Sequence, residues 1–160
     1  MRNLGTYIFI SFVLAIFQNV FFYELFGPGF SPNLIAAYLM ALLALNRKTA
    51  ATSVAFISGL CLDLFSQNTL GISSTILIIF VLVGDYVQSY LVKSVYTNLI
   101  LLLLFTLLYT PLATLNFELG ANVTIWQLLV GAIFTAMFGV LFYVVTKRYL
   151  KPSAAGEYSY

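Results

Sequence analysis

Histidine is absent from this 160-residue chain, and cysteine occurs once, as Cys61. With no imidazole and one thiol, a zinc or copper site built from Cys and His does not fit within one chain, and no intrachain disulfide can form. Serine, cysteine and zinc hydrolysis in their usual forms need a histidine or a substitute base, and no such constellation is visible. The expectation is therefore a non-enzymatic protein with no metal and no cofactor. Cys61 reads as a small apolar packing residue. Charge is scarce as well: 8% of residues, against about 25% in a soluble domain. The few basic residues stand singly or in small groups, so a nucleic-acid-binding surface is not expected. Proline is confined to Pro28, Pro32, Pro111 and Pro152, all at or near the ends of apolar runs.

What fills the chain instead is apolar sequence, 62% of it, with a mean hydropathy of +1.02. A bilayer crossing takes roughly 20 apolar residues, so runs of this kind predict an all-α integral membrane protein. The spans are expected at 4–23, 33–45, 49–65, 72–92, 96–112 and 125–145. Together they make one compact bundle of six transmembrane helices over 1–151, followed by a short cytoplasmic tail, 152–160. Arg2, Arg47, Lys48, Lys93, Lys147, Arg148 and Lys151 fall at alternate breaks, whereas the intervening breaks carry Glu24 and Glu118. Lys and Arg favour the cytoplasmic ends of membrane helices, so six crossings with both termini in the cytoplasm account for every basic residue. The first span follows Arg2 in the manner of a secretory signal. Its apolar stretch is longer than a signal core, however, and no small-x-small site follows, so it is read as a retained helix.

The second span is short. Thirteen residues rise roughly 20 Å against a hydrocarbon core of about 30 Å. A re-entrant segment is the alternative, but it would place Arg47 and Lys48 outside, so a short or tilted crossing is expected. In the third span Ala51, Ala55, Gly59 and Asp63 recur every four residues and share one helix face. Gly131, Thr135 and Gly139 make a second small-residue stripe in the last span. Such stripes let helices approach closely, either within one subunit or at the seam to a partner's helix.

An ionisable residue in a membrane segment is a functional candidate by default. Asp63 has three readings: a cap for the following outer turn, an organiser of that turn through Ser66, Asn68 and Thr69 as a partner surface, or a proton relay. Asp85 lies in the cytoplasmic half of the fourth span, at a different depth from Asp63, so the two do not form an acid–base pair. It either pairs with Lys93 or with Arg47 and Lys48, or lines a polar crevice. Gln18, Asn19, Asp85 and Gln88 are the candidates for a polar interior.

The run from Phe56 to Leu91 contains Gly59-Leu60, Asp63-Leu64 and Leu70-Gly71-Ile72, followed by an apolar helix reaching Gly84. In these residues, about a fifth of the chain, it resembles the MreD family of the bacterial rod-shape, or elongation, complex. The resemblance implies a membrane scaffold of the cytoplasmic (inner) membrane that supports lateral peptidoglycan synthesis and sets cell shape. It also implies an MreC-like single-span partner and, through it, MreB, RodA and a class B penicillin-binding transpeptidase. Membrane lipid is a further expected partner, and a homo-oligomer is compatible with the pattern. The family's fold is similar to the six-helix substrate-binding subunits of energy-coupling-factor vitamin transporters. A small-solute binding subunit of that type is therefore the rival expectation.

Overall fold

The computed structural model describes residues 4–26, 30–65, 70–90, 97, 99–107 and 125–149. Every regular element among them is helical. Helix α1 runs Leu4–Phe26, with Phe17–Phe22 wound as a π-helix. Then follow α2 (Leu34–Ala44), α3 (Lys48–Phe65), α4 (Ile72–Tyr90), α5 (residues 99–107) and α6 (Ile125–Tyr149). Four of these, α1, α3, α4 and α6, are long and apolar enough to cross a membrane.

The second span, expected as a short or tilted crossing over 33–45, is the helix that falls below the length of a membrane crossing. Helix α2 has 11 residues and rises about 16 Å, half of a bilayer core. It survives because protein surrounds it. Every residue from Leu34 to Leu43 is buried, and α2 touches α1, α3, α4 and α6. Backbone ends at membrane depth are tolerated where protein partners replace water, and both ends of α2 have them. At its start the Asn33 Oδ1 accepts from the Ala36 N–H at 2.9 Å, and the Gln18 Oε1 accepts from the Ile35 N–H at 3.3 Å. At its finish Asn46 adopts a φ of 56°, a left-handed conformation that Asn tolerates better than most residues. That turn lets the Asn46 N–H reach the Leu43 carbonyl and the Arg47 N–H reach the Leu42 carbonyl, closing the helix and starting α3 at once.

Other boundaries shift less. Helix α1 continues to Phe26 where an end at Tyr23 was expected, so Glu24 belongs to its last turn. Helix α6 continues to Tyr149, and Lys147 and Arg148 join its final turn, where cations offset the helix dipole. The expected fifth span is helical over 99–107; its remaining part and the tail lie outside the described residues. Phe80 of α4 stacks on Phe105 of α5, and Leu102 of α5 packs on Gly139 of α6.

The outward faces are as apolar as the interior. Phe9, Val20 and Leu25 on α1, Leu82 on α4 and Met137 and Leu141 on α6 are all exposed. In water such a surface would aggregate; around a membrane span it is the face that lipid covers. The helices are consequently held by close packing and polar contacts, because lipid solvates an apolar side chain as well as protein does.

Candidate functional site

The α3–α4 hairpin gathers the residues singled out by the sequence. Asp63, only 1% exposed, ties the end of α3 to the start of α4. Asp63 Oδ2 accepts from the Gly71 N–H at 2.7 Å, and Oδ1 accepts from the Ser73 N–H at 3.0 Å. The first amides of a helix lack intrahelical acceptors, and a neighbouring side chain normally supplies one. Gly71, in the position before Ile72, has no side chain to offer. A carboxylate from the preceding helix does the work instead, and its charge faces the positive end of the α4 dipole. Among the described residues no Lys or Arg pairs with Asp63.

Two glycines make this geometry reachable. Gly71 has a φ of +102°, a region that side chains rarely enter. Its carbonyl accepts from the Ser74 and Thr75 hydroxyls, at 3.0 and 2.7 Å, so the first turn of α4 is bonded on both sides. Gly59 permits the close approach of the helices: a Cβ there would run into the backbone of Ser74. Ala51 and Ala55, two turns and one turn earlier on the same face, are fully buried. The whole Ala51–Ala55–Gly59–Asp63 stripe therefore lies inside the chain.

The opposite end of the hairpin is tied differently. Asp85 Oδ1 meets Lys48 Nζ at 2.6 Å, linking the cytoplasmic half of α4, in the predicted orientation, to the first residue of α3. Arg47 lies over the Tyr7 ring at 5.3 Å and so adds α1 to this end. Along α3 the fifteen steps from Lys48 to Asp63 rise about 22 Å, so the two carboxylates sit at different depths.

The second small stripe faces α2 at Thr135 and α5 at Gly139. Thr135 Oγ1 accepts from the Asn33 N–H at 3.0 Å and donates to the Gly131 carbonyl at 2.7 Å. Gly131 and Gly139 are buried beside it. Tyr38 meets Phe142 edge-on further along, so α2 and α6 run parallel. Three of the four residues expected in a polar interior make separate bonds. Gln18 caps α2, Asn19 Nδ2 donates to the Ala15 carbonyl on its own helix, and Asp85 is engaged by Lys48. Gln88 is buried and has a partner. The residues Ser66, Asn68 and Thr69, expected to bond Asp63, lie outside the described residues, as does Lys93. No group of three His, Cys, Asp or Glu able to hold a metal occurs among the described residues.

Sequence reasoning missed Asn33, Ser73 and Ser74. Asn33 stands immediately before an apolar run, which is a helix-start signal that was there to be used. Ser73 contributes its backbone and Ser74 its closeness to Gly59, and neither leaves a mark in the sequence. The chain matches no family model, and no curated protein or solved structure is significantly similar to it.

Proposed function

We propose that this chain is a non-catalytic membrane scaffold of the MreD type, and that the α3–α4 hairpin is the rigid part on which a partner is positioned. One observation carries the reading. The residues that bear the resemblance, Gly59, Asp63 and Gly71, act as a single device: one allows the helices to touch, one clamps the turn, and one supplies the backbone conformation the clamp requires. A partner-binding turn needs a fixed shape, and burying a carboxylate on two backbone amides is a costly way to obtain it unless that shape is used.

In this reading the partner is an MreC-like single-span protein with a large extracytoplasmic domain. MreB, RodA and a class B penicillin-binding transpeptidase are reached through it. The chain sits in the bacterial cytoplasmic membrane with both termini in the cytoplasm. It makes six passes, the second through the short buried α2 and the fifth through the segment that contains α5. The arrangement of the basic residues supports this orientation: α2 and α6 run parallel, which brings Arg47 and Lys48 to the same end as Lys147 and Arg148.

The rival reading, a vitamin-type binding subunit of an energy-coupling-factor transporter, needs polar groups converging on a cavity. Gln18, Asn19 and Asp85 are each consumed by structural bonds in different places, which counts against it. Affinity purification of the tagged chain from native membranes separates the two. Recovery of a single-span protein with a large extracytoplasmic domain, reduced in the Asp63→Asn variant, is the expected result. Recovery of ATPase subunits with a coupling membrane subunit would replace the scaffold reading by the transporter one.

A further inference from the structure

The lipid-facing surface differs in height from one side of the molecule to another. On α4 the exposed apolar strip begins at Ile72 and continues through Ile79, Leu82 and Val83. It stops at Asp85, whose carboxylate meets Lys48 Nζ at 2.6 Å, and both side chains reach the surface, 32% and 55% exposed. Thirteen helical steps separate Ile72 from Asp85, a rise of about 20 Å. Just beyond, the exposed rings of Tyr86 and Tyr90 lie 4.8 Å apart, and tyrosines of this kind mark a membrane–water interface. On α3 the seventeen steps from Lys48 to Phe65 rise about 26 Å, which bounds the height of the whole hairpin.

Helix α6 presents a longer surface. Ile125 and Trp126 are exposed at one end and Val144 and Val145 at the other, with no charged residue between them. Those twenty steps rise about 30 Å, the thickness of a bilayer core. The two surfaces stand on different faces of α2. Around Gly84, α4 meets α2 at Met40 and Leu43, whereas α6 meets it at Tyr38.

Tilting does not remove the difference, because a tilted helix spans less of the bilayer and the short side is already too short. A bilayer of even thickness would therefore bring acyl chains to the Asp85–Lys48 pair, where a carboxylate is costly. Lys48 has a long stem that reaches toward the headgroups; the short side chain of Asp85 does not follow. We infer that the bilayer thins along the α3–α4 face, and that this face selects phospholipids with short acyl chains, while α6 meets lipid of ordinary length. The inference rests on the membrane-spanning helices and not on the identity of a protein partner.

Tryptophan quenching by brominated lipid reads which lipid lies beside a single reporter, and the chain has one tryptophan, Trp126. In the full chain carrying Trp126→Phe, Ile79→Trp places a reporter on the short side and Met137→Trp places one on α6; both positions are exposed. Each protein is reconstituted in mixtures of dimyristoleoyl phosphatidylcholine and brominated dioleoyl phosphatidylcholine. The longer lipid is expected to compete about threefold less well at position 79 than at position 137, the effect of a few ångströms of mismatch. Adding Lys48→Leu and Asp85→Leu extends the apolar strip past the ion pair and removes most of that difference. Equal competition at the two reporters would overturn the proposal and mean that water reaches the pair through an undeformed bilayer. A difference that survives in the Lys48 and Asp85 double variant would also overturn it, because the pair would not set the height. The comparison of the two reporters stands by itself if the double variant fails to fold.

Discussion

The α3–α4 hairpin carries an aspartate at each end, and the two are held in opposite ways. Asp63 is buried and bonded to two backbone amides, with no cation beside it among the described residues. Asp85 is about one-third exposed and paired with the more exposed Lys48. An ion pair of the second kind is worth roughly 0–1 kcal/mol, since solvent and counterions compete for both partners. A buried acceptor is different. Taking it away strands its donors, each at about 1–3 kcal/mol. The hairpin is thus pinned firmly where α4 starts and laced loosely at the other end.

The sharpest way to break this asymmetry is to stop the helices from meeting. Gly59→Leu puts a side chain where the Ser74 backbone lies, so the hairpin must splay, and overpacking against backbone exceeds the usual 1–3 kcal/mol. Loss of the monodisperse peak in detergent size-exclusion is the expected outcome; a folded protein of unchanged melting temperature would show that the contact is dispensable. Next in size is Asp63→Ala, expected to cost about 3 kcal/mol through two unsatisfied amides. Thermal unfolding in detergent measures it, and Asp63→Asn, which keeps one acceptor, should fall between the two. If Asn behaves like Ala, the charge facing the α4 dipole matters more than the count of bonds.

Gly71→Ala tests the backbone conformation alone, because the space around its Cβ is open. A loss of about 1–2 kcal/mol is expected from forcing a side chain to positive φ. The smallest effect belongs to the open end. Asp85→Asn and Lys48→Gln should each lower stability by about 0.5 kcal/mol, and the double variant by little more, as a double-mutant cycle would reveal. A coupling as large as the Asp63 effect would erase the contrast between the two ends.

Much of the helix pattern was legible because a long apolar run leaves few alternatives at this composition. Helices α1, α3, α4 and α6 begin and end within a few residues of the expected positions, and the Lys48–Asp85 pair was among the anticipated choices. Asp63 stood out because a carboxylate in such sequence must be compensated. What compensates it was not legible, since backbone amides belong to every residue. The place of α2 was hidden for a related reason. A helix apolar on all faces gives no periodic signal to separate protein-facing from lipid-facing sides, and both surroundings select the same residues.

The sequence by itself determined that the chain is helical and built for a membrane, that it offers no Cys/His metal site, and where its charges fall along the chain. Those properties follow from composition and order, which the bilayer reads directly. Only the tertiary structure decided that the short second helix is the buried centre, that both small-residue stripes face inward, and that Asp63 binds the start of α4. Each of these depends on which surfaces meet. Where the solvent is as apolar as the core, that choice rests on a few glycines, caps and hydrogen bonds whose partners lie far apart in the sequence.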